Sequence, residues 1–263
     1  MLCFRIDRHY ILCYNIRSRH LWGNLRPRVR FRGEKMELRG LQKTTLLDFP
    51  GRVACTVFTG GCNFRCPFCH NASLLGAGPA EVTEESFFSF LQKRRGILDG
   101  VCITGGEPLL NRDIASFISR IKEMGFLVKL DTNGSFPERL SSLIDAGLLD
   151  YVAMDIKNSP EKYPSTTGTE DGFLSQVKES ASILLKGSVP FEFRTTLVKG
   201  MHTAADMEKI GAWIKGADRY FLQQFTDSGD VLCDGLSAFT KEESEALLAA
   251  VLPFVPKAAL RGI

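Results

Sequence analysis

Short apolar, β-branched runs alternate along this chain with stretches whose apolar residues recur every three or four positions, so from Leu38 onward it reads as strand, helix, strand, helix. Leu38 to Leu47 is an extended lead-in closed by the turn Asp48-Phe49-Pro50-Gly51. Strands are expected over residues 53–58, 101–104, 126–130, 151–156, 191–198 and 220–225. The first intervening helix spans about 83–95, with Phe87, Phe90 and Leu91 on one face. Ile114, Phe117, Ile118 and Ile121 mark a second, ended by Gly125. A capping box, Ser135-x-x-Glu138, opens a third that carries Leu140, Leu143 and Ile144. Phe173, Val177, Ala181 and Leu184 mark a fourth, stopped at Gly187; a fifth covers about 203–215, and Thr240-x-x-Glu243 caps the last.

Six strand–helix units with no internal boundary imply a parallel sheet with right-handed crossovers. Six are too few to close an eightfold barrel. The expected fold is therefore α/β, an open partial (β/α)6 TIM-like barrel whose chemistry lies at the carboxyl ends of the strands. The fifth strand alternates Phe191, Phe193, Thr195 and Leu197 against Glu192, Arg194 and Thr196. One face then packs on helices while the other turns charge toward a polar cavity.

Composition adds little to the fold but bounds the function. The chain is 44% hydrophobic with a mean hydropathy of −0.03, and no run of 18 apolar residues predicts a membrane span. Charge is unevenly spread: residues 1–35 hold nine Lys/Arg against two Asp/Glu, net +7, and the remainder holds 24 against 28, net −4. The body is mildly acidic, so no basic nucleic-acid face is indicated. Residues 1–35 lack the apolar core and cleavage site of a secretory signal. An organellar transit peptide would share their Arg-rich, acid-poor character. The favoured expectation is a disordered or mis-called extension ahead of a start at Met36, with 36–263 forming the domain.

The candidate chemistry is concentrated in Gly60–Asn71, G-G-C-N-F-R-C-P-F-C-H-N, directly after the first barrel strand. Cys62, Cys66 and Cys69 form C-x3-C-x2-C. Thiolates are soft ligands for iron–sulfur clusters, zinc or copper(I). Three thiolates on a four-iron cubane leave one iron without a protein ligand. Arg65, Asn63 and Pro67 argue against an ordinary buried core segment, and three close thiols cannot pair evenly as disulfides. Structural zinc is the rival, with His70 completing a Cys3His set in an interaction module. Cys55 and Cys102 lie inside strands as core residues, Cys233 is isolated, and His202 in V-K-G-M-H-T reads as a loop or helix-entry residue.

The cysteine array, with Phe68 before its last member, resembles the signature of radical S-adenosylmethionine (radical SAM) enzymes, and the following His70-Asn71 resembles the activases of glycyl-radical enzymes. The run Lys43–Asn71 resembles the activating proteins of anaerobic ribonucleoside-triphosphate reductases. The resemblance implies a [4Fe-4S] cluster on Cys62, Cys66 and Cys69 with S-adenosylmethionine on its open iron, beside Phe68. It implies that Gly105, Gly106 and Glu107 hold the amino group of the methionine portion. Asp131, Thr132 and Asp155 match a monovalent-cation site, and Lys157 matches a contact to the cofactor carboxylate. Two carboxylates at neighbouring strand ends need a cation between them, which Lys157 or a bound ion could supply. Arg194 matches an arginine near the ribose and carboxylate, a salt bridge being the plainer role, and Gln224 is expected to add polar contacts.

By the same resemblance, an external flavodoxin- or ferredoxin-type donor reduces the cluster, and reductive cleavage of the sulfonium gives methionine and a 5′-deoxyadenosyl radical. The expected target is a glycine α-hydrogen of anaerobic ribonucleotide reductase, in an anaerobe's cytoplasm. Another glycyl-radical protein, or a small molecule, would use the same residues. No second cysteine cluster points to accessory iron–sulfur centres.

Overall fold

The computed structural model describes residues 36–76, 80–170 and 173–262, with the backbone of Leu2–Asp7, Tyr10–Tyr14 and Val29–Arg30 ahead of them. The expectation that 1–35 is a disordered or mis-called extension lies outside the fully described residues.

One eight-stranded sheet organises the body. Its strands are β1 (Leu38–Thr45), β2 (Ala54–Thr59), β3 (Gly100–Gly105), β4 (Leu127–Thr132), β5 (Tyr151–Asp155), β6 (Phe191–Leu197), β7 (Tyr220–Gln224) and β8 (Ala259–Arg261). They lie side by side in chain order, and every pairing is parallel except β1 with β2. The sheet does not close, which makes it the open partial barrel expected. Six of these strands are the predicted set. β1 appears in the sequence only as an extended lead-in, because as an edge strand it carries Gly40, Gln42 and Lys43 and lacks a buried run. β8 is three residues long, too short for any periodicity to show.

The helices are α1 (Glu84–Lys93), α2 (Ile114–Glu123), α3 (Pro137–Asp145), α4 (Tyr163–Thr167), α5 (Leu174–Leu185), α6 (Ala204–Trp213) and α7 (Lys241–Val251). Their apolar stripes, including Phe87, Phe117, Ile121, Leu140, Leu184, Ile210 and Leu247, join Val57, Ile103, Leu130, Met154, Phe193 and Leu222 of the strands in one core. Burying each such side chain stabilises by about 1.5–3 kcal/mol, so the helix-facing side of the sheet carries the fold. None of the helices among the described residues is long and apolar enough to cross a membrane.

Two local expectations change. Strand β4 runs on through Asp131 and Thr132, which pair with Ala153 and Met154 of β5. Asp131 turns to the polar face and meets Arg194, while the Thr132 hydroxyl on the opposite face is satisfied by Glu107, so neither ends the strand. The Ser135 capping box does not form: α3 starts with Pro137 at its first position and has no side-chain cap. The Ser135 hydroxyl is drawn instead to Asn133 Oδ1 at 2.6 Å. The Thr240 box at α7 does form, and so does one at Thr203 and Asp206 of α6.

Candidate active site

Strand parity decides what faces the space away from the helices. Cys102 on β3, Lys129 and Asp131 on β4, Asp155 on β5 and Arg194 on β6 share that face. Arg194 donates from Nε to Asp155 at 2.9 Å and from Nη1 to Asp131 at 3.0 Å. Lys129 pairs with the other oxygen of Asp131, and Lys157 reaches Asp155 at 3.0 Å. The result is an alternating row, Lys129–Asp131–Arg194–Asp155–Lys157, with three cations on two carboxylates. Burial alone would raise both carboxyls, but Arg194 with Lys129 and Lys157 overcomes it and holds Asp131 and Asp155 below the usual carboxylate range. The same carboxylates hold Lys157 and Arg194 above theirs, against the burial that pulls both down.

The cation that lies between the two neighbouring carboxylates here is the Arg194 guanidinium. The Thr132 hydroxyl donates to Glu107 at 2.8 Å. Lys129, buried at 2% exposure, had no signal in the sequence, because a lysine in a strand ordinarily reads as solvent-facing.

The cysteine loop sits over this row. Cys66 is buried, Cys62 and Cys69 half-buried. Burial pushes the Cys62 thiol up to about 11 and Cys66 up to about 12, with Lys157 pulling both down. The Cys62 sulfur accepts from the Phe64 N–H at 3.4 Å and faces the Asn133 amide at 3.9 Å. Asn133 also donates to Asn63 at 2.9 Å, and Asn63 donates to Ser135 at 3.0 Å, a ring that ties the loop after β4 to the cysteine loop. Phe68 is buried with its edge toward His202, ring centroids 6.3 Å apart, so it packs beneath the loop as a wedge.

The turn after β3 explains its glycines. The Gly106 N–H donates to the Thr59 carbonyl and the Glu107 N–H to the Gly61 carbonyl, at 3.0 and 2.8 Å. A Cβ on Gly106 would stand 1.9 Å from the Gly61 oxygen. We expect Gly106→Ala to push the cysteine loop aside, cost about 1–3 kcal/mol of stability and cut the iron bound per chain after anaerobic reconstitution. Full iron occupancy in that variant would contradict this account.

Glu107 is fully buried and accepts from Leu109 N–H, Thr132 Oγ1 and Asn133 N–H at 3.0, 2.8 and 2.6 Å. Complete burial pushes its carboxyl up to about 7, although those donors pull the other way. Its oxygens thus brace the ends of β3 and β4. Gln224 pairs with Leu197 and donates to the Phe239 carbonyl at 2.8 Å, leaving a buried Oε1 without a partner. Parity puts Gln223, beside Thr196, on the face of Arg194 instead. Both glutamines, with His70, Thr196, Phe225 and Ser228, line a cleft of about 260 Å³ next to the cysteine loop.

A zinc ion would need the sulfurs and His70 on one point. Among the described residues, no group of three or more His, Cys, Asp or Glu side chains is placed to hold a single ion, and His70 is exposed. A cubane takes each thiolate on a different iron and needs no shared point, so the donor set fits the cluster better than Cys3His zinc.

Comparison with known proteins gives four results. A sequence model of the radical SAM superfamily matches residues 56–213. A protein of Methanocaldococcus jannaschii, provisionally named a glycyl-radical enzyme activating enzyme, is 35% identical over 190 residues, 71% of this chain and 78% of that one. A provisionally named GTP 3′,8-cyclase of Thermococcus kodakarensis is 33% identical over 147 residues, 55% of this chain and 47% of its own length. Among solved structures, a domain of a pyruvate-formate lyase-activating enzyme from Bacteroides vulgatus superposes with a TM-score of 0.51 at 15% identity, over 62% of this chain and 99% of that one. That likeness is one of fold.

Proposed function

Because this chain belongs to the radical SAM superfamily and is a homologue of glycyl-radical enzyme activating enzymes, we propose that it activates an anaerobic ribonucleoside-triphosphate reductase by generating its glycyl radical. The observation that carries the activase assignment is the 35% identity across 190 residues; the finer target rests on the run Lys43–Asn71. When bound, the [4Fe-4S] cluster and S-adenosylmethionine supply the electron transfer and the 5′-deoxyadenosyl radical that removes the glycine hydrogen.

The protein's part is binding and placement. Cys62, Cys66 and Cys69 would hold the cluster, with N–H donors on the Cys62 sulfur tuning it. The row from Lys129 to Lys157 has one cation in excess, and its more accessible end is the half-buried Lys157, 18% exposed against 2% for Lys129. That end suits the cofactor carboxylate. Backbone groups of Gly105 and Gly106, on the turn that touches Gly61, would meet the amino group, with Glu107 bracing the turn. The unpaired Gln224 Oε1 is an acceptor beside the cleft. A glycine-bearing loop would enter from that side, and a flavodoxin- or ferredoxin-type protein would deliver the electron, in the cytoplasm of an anaerobe.

Anaerobic incubation with the reductase, S-adenosylmethionine and dithionite is expected to give the doublet of a glycyl radical by electron paramagnetic resonance. The similarity to a GTP 3′,8-cyclase favours a second reading, a small-molecule substrate on the same site. Deoxyadenosine released with no radical on the reductase would shift the assignment there.

A further inference from the structure

The geometry points to Tyr163 and His202 as positioning residues that clamp the two peptide groups of Lys157 and so aim its ammonium at the cofactor carboxylate. The inference rests on the proposed role of Lys157.

Lys157 lies two residues past the end of β5, where the sheet ladder no longer holds the backbone. Its N–H donates to the Tyr163 hydroxyl at 3.3 Å, and its carbonyl lies 2.9 Å from His202 Nε2. The Val198 N–H donates to His202 Nδ1 at 3.1 Å. Nδ1 is therefore the acceptor, and Nε2 carries the hydrogen that goes to Lys157. Both clamping side chains are buried, Tyr163 at 0% and His202 at 2% exposure. Neither pairs with the row of charges; His202 also backs Phe68 beneath the cysteine loop, with ring centroids 6.3 Å apart.

The neighbouring peptide is pinned too. The Ile156 N–H donates to the Arg194 carbonyl at 2.8 Å, and the Ile156 carbonyl accepts from Thr195 Oγ1 at 2.6 Å. The main chain is thus fixed on both sides of a side chain that is otherwise among the most flexible. With the backbone held, the ammonium returns to Asp155 at 3.0 Å. A binding group fixed before its ligand arrives loses less freedom on binding. Two buried aromatic donors and acceptors on one lysine backbone have that effect.

The test uses the full chain with its cluster reconstituted. His202→Phe keeps a ring against Phe68 and removes both hydrogen bonds; Tyr163→Phe removes only the hydroxyl and is the milder change. Each is expected to keep the wild-type iron content and visible absorbance. Each should raise the S-adenosylmethionine dissociation constant, about tenfold for His202→Phe, and move the cofactor-induced change in the reduced cluster's paramagnetic resonance spectrum to higher concentration. His202→Gln, which can donate and accept at the same places, should recover to within about threefold. On a Lys157→Met background, His202→Phe should add nothing. If it weakens binding equally there, or if iron is lost while cofactor affinity is kept, the clamp is wrong and the role of Lys157 stands. If Lys157→Met binds the cofactor as wild type does, the role of Lys157 fails, and the clamp with it.

Discussion

Alanine at Cys62, Cys66 or Cys69 is expected to remove the brown chromophore and S-adenosylmethionine cleavage together, while the fold survives. Each thiolate takes one iron corner, so losing one leaves two protein ligands where three hold the cluster. Oxygen and nitrogen donors nearby offer no soft substitute. The fold should be nearly indifferent, because trimming a buried sulfur costs about 1 kcal/mol and the loop keeps its other ties. Those ties are strong: the Arg65 N–H reaches the Thr167 carbonyl at 2.7 Å and the Gly61 N–H the Leu74 carbonyl at 2.8 Å. Cys233→Ala is the matched control. Cys233 is exposed, and its backbone N–H reaches the Pro67 carbonyl of the loop at 3.0 Å, a bond that alanine preserves. Iron content, absorbance near 400 nm and deoxyadenosine release (about zero expected for the three, wild-type for Cys233→Ala) are read on the same samples. A single-cysteine variant at 62, 66 or 69 that stays brown and active would remove the basis of the assignment.

What the sequence disclosed follows from which forces act locally. Apolar periodicity is a local signal, and it found six of the eight strands of the main sheet because each buries its helix-facing side. The cysteine loop was legible because ligand spacing is also local. Pairing across strands is not. Arg194 appeared as a charge on an alternating strand, yet its position between Asp131 and Asp155 depends on the register of three strands. The ring of Asn63, Asn133 and Ser135 was invisible for the same reason, since Asn63 lies far along the chain from the other two; Lys129, whose partner Asp131 is only two residues on, was invisible because its burial depends on the sheet around it. Ser135 shows the competition directly. A capping box with Glu138, three residues on, was available to it, and the hydrogen bond to Asn133 at 2.6 Å took the hydroxyl instead.

Arg194→Met should lower stability by roughly 3 kcal/mol near neutral pH, with the loss shrinking in acid. The substitution keeps much of the side chain's volume and removes the charge that serves Asp131 and Asp155 at once, at 3.0 and 2.9 Å. Each carboxylate retains one lysine, Lys129 or Lys157, which sets the effect at the low end of the cost of breaking a buried ion pair. The pH dependence has a definite sign. In the wild type both carboxyls titrate below their unfolded value of 3.8, so their contribution is complete above that value and is lost as pH falls through the folded values. Without Arg194 that depression shrinks, and the wild-type and variant curves converge only as pH falls below 3.8 through the depressed wild-type values. Anaerobic denaturant titrations at pH 7 and at a series of pH values below 3.8 measure both quantities. Arg194→Lys restores the charge but cannot fork between two acids, so it should recover only part of the loss. A neutral-pH loss under about 1 kcal/mol for Arg194→Met, or one that grows in acid, would mean that the guanidinium is not what holds the two carboxylates together.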